Sequence, residues 1–77
     1  MRKERIEYSS PLDALVALAK RLSLYEDRYR LESEEFYDRF SKGQLEDSAD
    51  FVEWANDYEH YLSTRSGIEK SIRQNVA

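Results

Sequence analysis

Leu15, Leu18, Leu22, Tyr25 and Tyr29 recur at intervals of three and four residues, a spacing that only an α-helix gathers onto one side. Ser10 stands where it can accept from the free N–H groups of a first turn. Pro11 suits the first helical position, and Asp13 follows three residues after the cap. A helix over about residues 11–30 is predicted.

The same punctuation recurs twice. Ser33 precedes Glu34 and Glu35, whose carboxylates suit a helix N-terminus, and Phe36 and Phe40 lie one turn apart. Lys42 and Gly43 supply a cationic last turn and a left-handed C-cap, which predicts a short helix over about 33–42 with Ser33 as its N-cap. Ser48 or Asp47 then caps a third helix. Its stripe is Phe51, Ala55, Tyr58 and Leu62, widened by Trp54 and Tyr61 into a face of large rings. Thr64, Ser66 and Gly67 weaken the pattern, and Ile68, Ile72 and Val76 resume it at i, i+4. The organisation expected is a basic arm over 1–9, a helical domain over 10–65, and a C-terminal extension over 66–77 that orders on binding. The expected fold is all-α: two long helices and one short one in an antiparallel hairpin or bundle, as a dimer.

So short a chain, 77 residues, buries little surface and relies on a disulfide, a metal or a partner. It has no cysteine, which removes the disulfide and any thiolate zinc site and leaves a partner as the expected aid. The opening MRKERIEYSS lacks the apolar core of a secretion signal, and Leu12–Ala19 falls far short of the roughly 20 residues that cross a bilayer. The cytoplasm is the expected location, with no membrane span.

Charge divides unevenly. Residues 1–25 hold five basic and three acidic groups, residues 26–60 four and twelve, and residues 61–77 three and one. An acidic middle is repelled by phosphate backbones, so any contact with DNA falls to the basic arm. Catalysis is not expected, because the chain has one histidine, no cysteine and no glycine-rich phosphate loop. Ser9, Ser10, Ser33 and Ser48 sit where helices begin and read as caps. Glu53, Asp57 and His60 share a helix as a carboxylate-bridged di-metal pair would require. Asp57, however, stands where that motif carries Glu, and a solvated acidic face accounts for the three. Glu46, Asp47 and Asp50 lack the spacing and glycine of a calcium loop. No metal and no cofactor are expected.

Aromatic rings among carboxylates remain. Most of Phe36, Phe40, Phe51, Trp54 and Tyr58 are expected in the core, and rings left outside would anchor a protein partner while acids steer a basic one. The anchors expected are Trp54, Tyr58 and Tyr61, with Glu46, Asp47, Asp50, Glu53 and Asp57 supplying the field. The run Ser33-Glu34-Glu35-Phe36-Tyr37, followed by Phe40, Gly43, Leu45, Glu46-Asp47-Ser48, Asp50-Phe51, Glu53-Trp54 and Tyr58, resembles small helical antitoxins of bacterial and archaeal toxin–antitoxin modules. The resemblance spans about residues 25–62 and implies a protein that neutralises a basic cognate toxin, often an RNase. Two alternatives stay open. One is a dimeric repressor whose arm Arg2–Tyr8 pairs as a ribbon, as in ribbon-helix-helix proteins. The other is a self-associating helical adaptor built on the Leu15–Tyr29 stripe.

Overall fold

A computed structural model describes residues 10–75, with three helices and no strand among them. The arm over 1–9, the ribbon expected of it and Val76 lie outside the described residues. Helix α1 spans Pro11–Tyr29, α2 Ser33–Ser41 and α3 Ala49–Asn75. No helix among the described residues is long and apolar enough to cross a membrane.

Local chemistry accounts for most boundaries. Ser10 Oγ accepts from the Asp13 N–H at 3.2 Å, and Ser48 Oγ accepts from the Phe51 N–H at 3.2 Å. At the end of α2 the Gly43 N–H reaches the Phe40 carbonyl and the Gln44 N–H the Arg39 carbonyl. This paired closure needs a residue at positive φ, and Gly43 supplies it at 74°. Helix α1 closes in the same left-handed way through Arg30, at φ 54° and ψ 47°, where the side chain brings a Cβ penalty that glycine avoids.

Ser33 departs from the expected role. The N-cap of α2 is Glu32, and Ser33 is the first helical residue, almost wholly buried. Its N–H donates to Glu26 Oε2 of α1 at 3.0 Å, so a carboxylate from another helix caps α2, while its Oγ accepts from the Trp54 indole N–H at 2.9 Å. Helix α3 runs unbroken through Thr64, Ser66 and Gly67, where the pattern weakens. A single internal glycine costs only about 1 kcal/mol, which flanking helical residues offset.

The core is built of rings. Among the described residues, Leu18, Leu22, Phe36, Trp54 and Ala55 are buried, with Phe36 and Trp54 at zero exposure. The Phe36 and Trp54 rings stack at 3.8 Å between centroids and 3° between planes. Tyr25 and Tyr29 stack on the indole at 5.4 and 5.7 Å. Along the junction of α1 and α3, Arg21 meets Asp57, Tyr25 meets Glu53, and Arg28 meets Asp50.

Two substitutions separate these contributions. Ser33→Ala leaves a buried indole N–H without an acceptor and is expected to cost about 1–3 kcal/mol. In a Trp54→Phe background the same change should cost far less, and urea denaturation of the four-member cycle measures the difference. Arg30→Gly should stabilise the fold by about 0.5–1 kcal/mol, read as a higher urea midpoint at unchanged slope.

Candidate interaction groove

Helix α2 is amphipathic, and burying Phe36 against Trp54 turns its polar side outward. Glu32, Glu34, Glu35 and Asp38 then stand along one wall of an open groove of about 780 Å³, whose other lining residues are Tyr37, Ser41, Tyr58 and Leu62. No cation lines it. Glu35 pairs with Arg39 at 2.6 Å and Asp38 with Lys42 at 3.1 Å. Both are solvent-exposed i, i+4 pairs of the kind that hold weakly and exchange readily. Glu32 and Glu34 form no ion pair among the described residues.

Tyrosines form the floor. Tyr37 and Tyr58 approach with ring centroids 5.2 Å apart, and Tyr61 stacks beyond Tyr58 at 6.4 Å with the Arg65 guanidinium 5.6 Å from its ring centre. The Tyr37 hydroxyl donates to Glu59, a bond that raises the pKa of its phenol and holds the ring in place. Burial raises the pKa of the Tyr58 phenol, and the nearby Glu34 charge adds to the effect, so Tyr58 presents a neutral ring and a neutral hydroxyl over the physiological range.

The expected site residues divide between this groove and the junction with α1. Tyr58 and Tyr61 are half-buried beside α2, where a partner can reach them. Trp54 is corrected: it is completely buried as the centre of the ring stack and is not presented at the surface of this fold. Glu46 and Asp47 are exposed in the connection between α2 and α3. Asp50, Glu53 and Asp57 are engaged by α1. Asp57 takes two bonds from the Arg21 guanidinium at 3.0 and 3.2 Å, Glu53 accepts from the Tyr25 hydroxyl at 3.1 Å, and Asp50 accepts from Arg28 and from the Tyr29 hydroxyl. The negative field expected along residues 46–57 is therefore partly neutralised within the chain. The open acidity lies on α2, with Glu32, Glu34, Glu35 and Asp38. In the sequence these acids alternate with Phe36, Tyr37 and Phe40, a sign that the same helix carries an acidic outer face.

No family model matches this chain, and neither the curated proteins nor the solved structures compared with it contain a match.

The bond from Tyr29, with Arg28 beside it, holds the Asp50 carboxyl below its ordinary value of 3.8 despite the opposing effect of burial. A depressed carboxyl contributes stability above its unfolded value, and that contribution disappears as pH falls through the folded value. Tyr29→Phe should move the Asp50 titration upward, toward 3.8, in carboxyl-detected NMR. It should also reduce the share of stability lost on acidification. Tyr25, Tyr29, Tyr37 and Tyr58 have raised phenol values, so their contributions hold below about pH 10 and are lost as pH rises through the folded values. Tyrosinate absorbance should develop late for these rings.

Proposed function

We propose that this chain is a non-enzymatic protein-binding module of the antitoxin kind, acting in the cytoplasm as a dimer. It holds a basic partner, an RNase-type toxin, in the groove between α2 and α3. The carrying observation is the groove itself, walled by four carboxylates, floored by Tyr37 and Tyr58, and lined by no cation among the described residues. A surface made to hold RNA presents arginines and lysines to phosphates, and this groove offers carboxylates for the cations and ring faces for guanidinium stacking. Two of the four carboxylates sit in exposed intrahelical pairs that a partner's cations can replace at little cost.

In this proposal α1 and α3 form an antiparallel hairpin with α2 at its closed end. The inverse order of the cross-helix pairs supports it, since Arg21, Tyr25 and Arg28 meet Asp57, Glu53 and Asp50 in turn. Among the described residues, none from α1 lines the groove between α2 and α3, which is open to a second protein.

Co-expression with the product of the neighbouring gene provides the test. Growth arrest by that product, relieved by this chain, together with co-purification of the two, is the outcome expected. Glu34→Lys reverses an exposed charge without touching the core, and it should weaken the complex tenfold or more, about 1.4 kcal/mol. Tyr58→Phe, which keeps the ring, should bind nearly as the parent does. Association should slow as salt is added. A neighbour that is harmless alone and does not co-purify sinks the antitoxin assignment, and full affinity in Glu34→Lys moves the binding site elsewhere.

A further inference from the structure

The three helices differ greatly in length, and the shortest leaves part of the other two uncovered. At 1.5 Å per residue, the nine residues of α2 extend about 14 Å, whereas the nineteen of α1 extend about 28 Å. Tyr58, which meets Tyr37 of α2, lies with Tyr61, Ile68 and Ile72 within an arc of roughly 80° on α3 at 3.6 residues per turn. The stripe therefore continues past the end of α2, onto a part of α3 that α2 does not reach. On α1 the large apolar side chain lining that region is Leu12, exposed by 58%, and on α3 Ile72 is exposed by 59%. An open, largely apolar groove of about 770 Å³ runs there between the start of α1 and the last turns of α3.

We propose that this open end is the contact surface for a second copy of the chain, which lies across it with its own α3 end running in the opposite direction. The charges beside Ile68 and Ile72 favour that occupant. Arg65, Glu69 and Arg73 alternate in sign at four-residue intervals along one edge of the stripe. About a two-fold axis beside Ser71, an oppositely directed copy sets Glu69 of each chain opposite Arg73 of the other, and the two Ile72 side chains meet next to the axis. A parallel copy would set like charge against like. Within one chain Glu69 is held only loosely, by Arg65 at 4.0 Å between two exposed groups, so it is available to an intermolecular pair. The occupant gains apolar burial at the centre and complementary charge at the rim, the distribution of a stable interface.

This assignment rests on the dimeric part of the function proposed above and is independent of the toxin. Sedimentation equilibrium of the full chain, from micromolar to hundreds of micromolar, is the test. The parent should be a dimer, and Ile72→Glu should raise the dimer dissociation constant at least tenfold, with helix content by circular dichroism unchanged. Glu69→Arg and Arg73→Glu should each weaken the dimer, and their combination should restore it. A parent that is monomeric throughout overturns both the dimer and this surface. A parent dimer that Ile72→Glu leaves intact overturns the surface alone. A monomer that Ile72→Glu destabilises toward heat overturns the proposal by assigning the patch to a contact within the chain.

Discussion

The face-to-face stack of Phe36 on Trp54 is the contact on which the rest of the molecule depends. Trp54 lies on α3, takes Phe36 of α2 on one ring face, and stacks with Tyr25 and Tyr29 of α1. One indole therefore joins all three helices. A helix of nine residues is too short to persist alone in water, where even good sequences need about 12–15 residues, so α2 exists because Phe36 is buried. Complete burial of the indole in turn requires an acceptor for its N–H. Ser33 provides that acceptor from the first position of α2, and Glu26 reaches across from α1 to accept from the Ser33 N–H.

Packing and charge placement are consequently one problem. Once Trp54 lies against Tyr25 and Tyr29, the neighbouring acids of α3 must face α1, where Arg21, Tyr25 and Arg28 receive them. The Arg28–Asp50 pair is exposed and contributes little stability, whereas Asp57 is mostly covered and held by two bonds from Arg21. Together with the Tyr25–Glu53 bond, these contacts remove Asp50, Glu53 and Asp57 from the freely available field. The same burial rotates α2 so that Glu32, Glu34, Glu35 and Asp38 face solvent beside two tyrosines. The acidic, aromatic face follows from the core contact.

Local features were the legible ones in the sequence. Ser10, Pro11, Ser48 and Gly43 act through atoms a few residues away, and the helix starts and the left-handed turn they mark are found where their chemistry places them. Helix α1 ends at Tyr29 and α2 at Ser41, one residue short of the ends expected from spacing. The role of Trp54 was not legible, because its spacing on α3 is compatible with a core position or an anchor, and only the position of α2 decides between them. Ser33 has the same history, since a serine before two glutamates reads as a cap until a buried donor 21 residues away claims its oxygen. Glu34 and Glu35 are visible in the sequence as partners of a helix dipole. Their collective outward orientation depends on how deeply Phe36 is buried.

The small core also links stability to association. Five apolar residues are buried among those described, and a chain of this size is marginal, with roughly 0.05–0.15 kcal/mol per residue available in typical domains. A partner that binds only the folded chain adds about 2.7 kcal/mol when present at a hundred times its dissociation constant, a large fraction of such a total. Enlarging α2 to cover Leu12 and Ile72 would deepen the core, but it would also bury the apolar surface of the groove between α1 and α3. A short α2 instead leaves two separate surfaces on one scaffold: an acidic groove between α2 and α3 and an apolar groove between α1 and α3. Because both are built on α3, occupation of either favours the same folded helix. The two proposed associations would thus be coupled through folding without any contact between their occupants.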